Sequence, residues 1–230
     1  QADPRLLVGM GEKSSQKAKE YLEKMGVTIW FNTFVKDYDG TNVVTNTHNF
    51  ETRTLIWTAG VKGSTIEGIP QQSIQFGRYV VNEFSEIKGC KDIYAIGDIA
   101  CMISDKYPKG HPMVAQPAIQ QGKQLGKNLK RKIAGKKKNL VPFSYFDKGA
   151  MATVGRNKAV VEIAGMRFSG WFAWILWMVV HLAFLVGFRN KMVALANWIV
   201  QYFQYNKGVR LIIRPYKSAY EREQEQTLKP

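Results

Sequence analysis

Two apolar, strand-like runs each end in a short elbow of small residues, and these elbows constrain the fold more than any other feature of the chain. The first run, 55–60, ends in Gly60, and the second, 92–98, ends in Gly97 and Asp98. In an open α/β sheet, ligands bind beyond the carboxyl ends of the strands, where a glycine lets a ligand approach the backbone. Asp98 is then placed to accept a hydrogen bond from a sugar or ribityl hydroxyl. The dipeptide alone favours an ordinary Gly-Asp turn, so the surrounding sequence has to decide.

The composition indicates a folded protein with an anionic partner. The 230 residues carry a formal net charge of +15, and 45% of them are hydrophobic, which suffices for a substantial core and excludes a disordered chain. This charge attracts a lipid leaflet, a nucleic acid or a phosphorylated cofactor without choosing among them. The two cysteines, Cys90 and Cys101, have no disulfide or metal spacing, and the three histidines lie far apart. We therefore predict free thiols in a reducing compartment and no metal site.

Residues 1–70 have the pattern of half a nucleotide-binding domain. Apolar residues at helical spacing predict a helix over 14–25, which Gly26 ends. The strands expected after it lie at 27–31, then in a short antiparallel meander at 34–38, 43–45 and 50–54, and finally in a buried strand at 55–59. This order of helix, meander and strand predicts the second half of a nucleotide-binding domain.

Residues 71–165 are predicted to form part of a second domain built around one long helix. A strand is expected at 79–81 and the helix from about Gln116 to Ala134. Its apolar face comprises Ala118, Gly122, Leu125, Leu129 and Ile133. The helix N-terminus carries partial positive charge and is able to stabilise negative charge on a bound cofactor. Lysines at its other end either complement the helix dipole or contact anionic lipid. Three more strands are expected at 143–146, 150–154 and 159–164.

The tail, 166–230, is rich in aromatic residues and cations. The run from Trp171 to Phe188 is apolar except for His181, and an amphipathic stretch, 192–205, follows a turn at 189–191. A membrane-spanning helix, a buried helix and a hairpin lying in the headgroup region all have to be considered. Tryptophans inside the first segment, rather than at its two ends, favour the interfacial hairpin. Cations expected near anionic phosphates are Arg189, Lys191, Lys207, Arg210 and Arg214.

Four elements in fixed order resemble a known family. They are the Ile96-Gly97-Asp98 elbow, the run from Val114 to Gly122 with its Ala115-Gln116 pair, the segment 151–160 and the aromatic tail. Together they resemble the C-terminal part of type II NADH dehydrogenase, a single-subunit flavin NADH:quinone oxidoreductase. The expected fold class is α/β, a partial Rossmann-like flavoprotein with two dinucleotide-binding domains and C-terminal amphipathic membrane helices. The chain lacks the GxGxxG that flavin and nicotinamide sites need, so a C-terminal fragment, itself inactive, is expected.

The resemblance also implies the roles of individual residues. Gly97, Asp98 and Ala118 would contact FAD, and Gly60 would lie near the nicotinamide of NADH. Gln116, and Lys158 or its neighbour, would serve the quinone. The implied location is peripheral and monotopic, on the cytoplasmic face of the cell membrane, with membrane lipid as a partner and homodimerisation through the tail as an option.

Two alternatives to this function stay open. A related flavoenzyme such as a sulfide:quinone oxidoreductase shares the flavin strand but needs cysteines that hand sulfur to the flavin, and Cys90 and Cys101 flank that strand on opposite sides. A basic membrane- or nucleic-acid-binding module without chemistry is the second. Because the lysines cluster at one helix end rather than along an aromatic-studded face, nucleic-acid binding is disfavoured.

Overall fold

The computed structural model describes residues 1–203, apart from the side chain of Lys137. The chain divides into two compact units, of which the first is 1–177 and the second begins at Met178. The helices are α1 Glu12–Lys24, α2 Ala115–Ile133, α3 Trp171–Phe184 and α4 Phe188–Phe203. The strands are β1 Val35–Tyr38, β2 Asn42–Thr45, β3 Asn49–Glu51, β4 Ile74–Gln75, β5 Arg78–Val81, β6 Ala100–Met102, β7 Ala150–Thr153, β8 Ala159–Ile163 and β9 Met166–Gly170.

The expected helix and meander near the start of the chain are confirmed. Helix α1 ends where Gly26 takes a positive φ of 83°, a conformation that glycine adopts without strain. Strands β1, β2 and β3 form an antiparallel sheet in that order. The helix and the meander therefore follow from local pattern alone.

The predictions of strands at 27–31 and 55–59, on either side of the meander, are wrong. Residues 27–31 do not form a strand, although the backbone nearby exchanges hydrogen bonds with Gln1 and Asp3. Residues 55–59 are irregular and exposed, with Ile56 80% and Trp57 64% accessible. A strand exists only through hydrogen bonds to a neighbour, and no segment within residues 1–203 pairs with this run.

The second sheet, formed by β4, β5 and β6, lies next to the elbow at Gly97 and Asp98. Strand β5 pairs antiparallel with β4 and parallel with β6, and side chains of β5 and β6 form a buried core with Ile87 and Ala95. The predicted strand over 92–98 is reduced to an isolated bridge between Tyr94 and Glu86. The chain then passes through a 3-10 turn, Gly97–Ile99, into β6. The strand expected at 79–81 is confirmed, while the strand over 92–98 is not.

The third sheet lies between two helices. Strands β7, β8 and β9 form an antiparallel meander, and Ala159, Val160 and Val161 of β8 are completely buried. Val160 packs with Tyr21 of α1, whereas Val161 on the other face packs with Ala173 of α3. The expected strands at 150–154 and 159–164 are thus confirmed, β9 is an addition, and 143–146 is not a strand.

The tail forms two helices with a break different from the one expected. The break lies at 185–187, where Gly187 has a φ of 84°, rather than at 189–191. The Lys191 ammonium donates to the Ala183 carbonyl at 2.9 Å, and the Asn190 amide donates to the Val186 carbonyl at 2.9 Å. The Lys191 bond satisfies a carbonyl left open in the last turn of α3, and the Asn190 bond satisfies a carbonyl within the break.

Many large apolar side chains of α3 and α4 are exposed, including Trp171, Phe172, Phe184, Phe188 and Phe203. None of the helices in the described part of the chain has both the length and the apolar character needed to cross a bilayer. The predicted cations Lys207, Arg210 and Arg214 lie outside the described residues.

Candidate functional site

The elbow at Gly97 is in close contact with helix α2. Gly97 has a φ of 71°, and a Cβ built on it would lie 3.2 Å from the Ala118 Cβ. That separation is tighter than an ordinary van der Waals contact, so a side chain at Gly97 would require Ala118 to shift by a few tenths of an ångström and would also be strained by the positive φ. The structure thus brings Gly97, Asp98 and Ala118 together, as the sequence analysis expects.

Asp98 presents an available carboxylate beside this contact. Its side chain is exposed and forms no hydrogen bond or ion pair with any residue in the range 1–203. The N-terminal turn of α2 follows Val114, which provides no side-chain cap. Uncapped N–H groups and a positive helix end favour an anionic or electron-rich ligand. These features fit a cofactor that carries hydroxyls on one part and negative charge on another.

The sequence analysis missed a further residue of the elbow, Gln121. The backbone N–H of Gly97 donates to Gln121 Oε1 at 2.7 Å, and Gln121 is only 1% exposed. Gln121 lies on the same side of α2 as Ala118 and Gly122, whose neighbours across the contact are Gly97 and Ile96. A polar residue inside an otherwise apolar helix face was the signal for it, because a buried amide needs a partner.

The opposite side of α2 holds an extended segment through a row of amides. Gln120 donates to the Phe146 carbonyl at 2.9 Å and accepts from the Phe146 N–H at 3.0 Å. Asn128 donates to the Val141 carbonyl at 2.8 Å and accepts from the Val141 N–H at 3.1 Å. The row, one residue per turn, consists of Gln116, Gln120, Gln124 and Asn128. Segment 141–149 therefore makes several backbone hydrogen bonds to side chains of α2, while the Phe143 N–H donates to the Glu83 carbonyl at 2.7 Å. These bonds do not form a strand ladder, and 143–146 is not a strand.

Gln116, the predicted quinone ligand, belongs to this amide row. Its Nε2 donates to the Gly149 carbonyl at 2.8 Å, and its Oε1 accepts from the Lys148 N–H at 3.1 Å. Both ends of the amide are thus engaged with the entrance to β7. A cavity of about 300 Å³ opens at this point. Its lining consists of Asp147, Gly149, Glu162, Ala164, Gly165, Met166 and Arg167.

The remaining predicted residues are separated from Gln116. Lys158 lies beyond the far end of β7, with its ammonium 5.6 Å from the centre of the Tyr21 ring. Because strands rise about 3.3 Å per residue, the length of β7 separates Lys158 from Gly149 and from Gln116. Gly60 forms an exposed tight turn in which its N–H donates to the Thr58 carbonyl at 2.8 Å. The structure does not join these residues into one site.

A buried arginine supports the loop that leads into α2. Arg78 is almost completely buried and donates from Nη1 to the His111 carbonyl at 3.0 Å and from Nη2 to the Lys109 carbonyl. Burial, together with the positive charge of Arg78, lowers the pKa of His111. Burial, followed by the charge of Asp147, raises the pKa of nearby Tyr145 to about 12. Both groups stay uncharged near neutral pH, and their rings meet edge to face with centres 5.4 Å apart and an interplanar angle of 81°.

At the other end of α2, Lys132 has a structural role. Its ammonium donates to the Asp92 carboxylate and to the Tyr94 hydroxyl, the latter at 2.7 Å. These two hydrogen bonds raise the pKa of Lys132. Lys132 therefore ties the end of α2 to segment 92–94, and this lysine is no longer available for the lipid contact considered above.

Comparison with known proteins defines the class to which this fold and site belong. The family model described as pyridine nucleotide-disulphide oxidoreductase matches residues 1–122, and the chain belongs to that family. A second model, the NDH2 C-terminal domain, matches residues 148–204, so the expected resemblance to type II NADH dehydrogenase is confirmed.

Individual relatives agree with this placement. The chain is 35% identical, over 90% of its length and 46% of the relative, to the type II NADH:quinone oxidoreductase Ndh of Mycobacterium tuberculosis. Its fold resembles that of NDH2 from Plasmodium falciparum, solved in complex with NADH, with a TM-score of 0.80, 18% identity, and coverage of 91% of this chain and 58% of that one.

A sulfide:quinone oxidoreductase from Aquifex aeolicus has a less similar fold. The TM-score is 0.61 at 16% identity, with coverage of 89% of this chain and 53% of that one. These likenesses establish an α/β flavoprotein fold of the NDH2 type. The chain spans about half the length of the curated relatives it matches, 46% for the first two.

Proposed function

We propose that this chain is part of a type II NADH:quinone oxidoreductase, an FAD-dependent enzyme that passes electrons from NADH to a membrane quinone without pumping protons. The observation that carries the proposal is the elbow, where an exposed Asp98, without a hydrogen-bonding or ionic partner among residues 1–203, follows Gly97. Gly97 lies so near α2 that an added Cβ would be 3.2 Å from the Ala118 Cβ. The names of the relatives, which are NADH:quinone oxidoreductases, support the same substrates.

FAD would supply the two-electron chemistry, taking a hydride from NADH and reducing the quinone. The chain's own residues bind and orient it. Asp98 would accept a hydrogen bond from a ribityl hydroxyl, and the small residues Gly97 and Ala118 would leave room for the flavin at the start of α2. The uncapped N-terminus of α2 would stabilise negative charge there. Gly60, whose turn is exposed, would lie near the nicotinamide.

Gln116 is the proposed donor to a quinone carbonyl. Its Nε2 now donates to Gly149, so binding a quinone would require this bond to be exchanged or shared. Lys158, at the far end of β7, would then act from a separate position rather than from the same side of the pocket.

In the proposed organisation, the two nucleotide-binding domains come first in the chain and the membrane anchor follows them. Residues 1–70 would complete an NADH-binding domain, 71–165 an FAD-binding domain, and 166–230 a membrane-anchoring tail. The exposed aromatic and aliphatic side chains of α3 and α4 support a monotopic membrane attachment. The proposed location is the cytoplasmic face of the membrane. Homodimerisation through these helices remains part of the proposal.

The decisive experiment uses the intact enzyme and its flavin spectrum. NADH should bleach the visible absorbance, and a quinone should restore it. Asp98→Ala should weaken FAD binding about tenfold or more, because a hydrogen bond to a charged group contributes about 1.5–3 kcal/mol. An unchanged FAD affinity in Asp98→Ala would show that Asp98 does not bind FAD, and the elbow would then not belong to the flavin site. Activity with sulfide in place of NADH would favour the sulfide:quinone alternative, although Cys101 is completely buried.

A further inference from the structure

The hydrogen bond between Gly97 and Gln121 has a role that none of the predicted site residues supplies. Gly97 opens a 3-10 turn, and the first N–H groups of such a turn have no partner inside it. Gln121 Oε1 satisfies this donor from another element, 24 positions further along the chain. The glutamine thus caps the elbow from outside.

Because the bond is buried, the side chain at position 121 must supply a hydrogen-bond acceptor to the Gly97 N–H. Gln121 is among the largest completely buried side chains of the described residues, and burying an amide without a hydrogen bond is costly. Since the Gly97 N–H is only a donor, the oxygen of the Gln121 amide must face it. An apolar residue would pack there with α2 but would leave the N–H unsatisfied.

The bond and the steric contact act on the same backbone position. The Ala118 methyl restricts the approach of Gly97 on one side, and Gln121 holds its N–H one helical turn further along α2. The positive φ of Gly97 leaves several conformations open to glycine, and the hydrogen bond selects one of them. Asp98 follows directly, so the direction of its carboxylate depends on that selection.

We propose that Gln121 is a positioning residue for cofactor binding, which fixes the Gly97 backbone so that Asp98 points its carboxylate at the flavin's polyol chain. This inference rests on the proposed FAD function of the elbow. Because the Gly97 N–H already donates to Gln121, Gly97 would not donate a hydrogen bond to the cofactor. Its contribution to the site would be its small volume.

The test compares Gln121→Met, which keeps the size but loses the acceptor, with Gln121→Glu, which keeps an acceptor. FAD dissociation constants and visible flavin spectra are measured on the intact enzyme. Gln121→Met should weaken FAD about tenfold and shift the flavin absorbance. Gln121→Glu keeps the acceptor but buries a carboxyl group, so it should bind FAD more tightly than Gln121→Met and less tightly than the wild type.

Gln124→Met is the matched control, because Gln124 lies one turn away on α2 and donates only to the Val141 carbonyl at 2.9 Å. It should lower thermal stability while leaving FAD affinity within about twofold. The inference is overturned if Gln121→Met binds FAD like the wild type, or if both methionine variants weaken FAD equally.

Asp98→Ala separates this inference from the proposed function. Loss of FAD in Asp98→Ala with normal binding in Gln121→Met would refute the positioning role alone. Normal FAD binding in both variants would refute the flavin assignment of the elbow as well.

Discussion

The Glu162 carboxylate accepts hydrogen bonds from the backbone N–H of Gly11, 151 positions earlier in the chain, at 3.0 Å to each oxygen. Gly11 is the residue before helix α1, and the Ser14 hydroxyl of the first turn also donates to Glu162 at 2.6 Å. A carboxylate at a helix N-terminus satisfies open donors and opposes the positive end of the dipole. Strand β8 thereby fastens the C-terminal sheet to the helix of the N-terminal segment.

Replacing this carboxylate should therefore loosen the connection. Glu162→Gln keeps the size and one acceptor oxygen but removes the charge, and we expect a loss of about 1 kcal/mol of unfolding free energy. Equilibrium denaturation in urea measures the change. Glu23→Gln, on the exposed last turn of α1, is the control and should change stability by less than about 0.5 kcal/mol.

The same carboxylate makes stability depend on pH. Hydrogen bonds from Ser14 and then Gly11, together with the charge of Arg167, lower the pKa of Glu162. A lowered pKa means that the stabilisation is fully present above the ordinary pKa of a glutamate, about 4.3, and is lost as pH falls through the folded-state value. The stability difference between wild type and Glu162→Gln should shrink as the pH is lowered from 7 to 3. A difference that grows toward acid would show that the carboxylate is not stabilised in the fold.

Position 110 needs a glycine because it lies against the buried guanidinium of Arg78. Its φ is 77°, and an added Cβ would overlap the Arg78 guanidinium and lie 3.0 Å from the Cys101 sulfur. Gly110→Ala should cost about 2–3 kcal/mol, because strain and overpacking add. Thermal unfolding tests this against Gly126→Ala, whose new methyl meets nothing within 4 Å. The control should stabilise α2 by as much as about 1 kcal/mol, so equal destabilisation of both variants would contradict the argument.

The amide row on α2 should keep segment 141–149 resistant to proteolysis. Asn128→Leu removes both hydrogen bonds to Val141, whose carbonyl keeps the bond from Gln124 Nε2. The expected cost is about 1 kcal/mol, because the N–H of the exposed residue Val141 loses its protein partner. Limited proteolysis should then cut within 141–149 several-fold faster. Gln16→Leu on α1 serves as a comparison and should leave the cleavage rate unchanged.

Membrane attachment should depend on the break between α3 and α4. Val186 is 84% and Phe188 79% exposed, so neither contributes to a protein core. Val186→Ser with Phe188→Ser should lower the affinity for anionic vesicles at least tenfold, since each buried side chain of this size contributes about 1.5–3 kcal/mol. Vesicle flotation measures binding, and thermal unfolding should show little change. Retained binding would place the anchor elsewhere.

Local sequence patterns correctly predicted the elements that depend on residues close together in the chain. Helix α1 with Gly26 at its end, the meander β1–β3 and helix α2 all lie within a few residues of their predicted positions. The close approach of Gly97 to Ala118 was not predicted, although both residues were expected at the same cofactor. The strands expected at 27–31, 55–59 and 92–98 failed, because a strand depends on a distant neighbour that short-range periodicity does not identify.

The sequence by itself determined helices α1 and α2 and the turn at Gly26, since these depend on residues close together in the chain. It also predicted a site with Asp98 at its edge. Only the tertiary structure decided which polar groups meet. It pairs Gln121 with the Gly97 N–H, joins Gln116 to the entrance of β7 and places Glu162 on the start of α1. Buried hydrogen bonds must be satisfied, but any of many distant partners can satisfy them, and that choice is made when the chain packs.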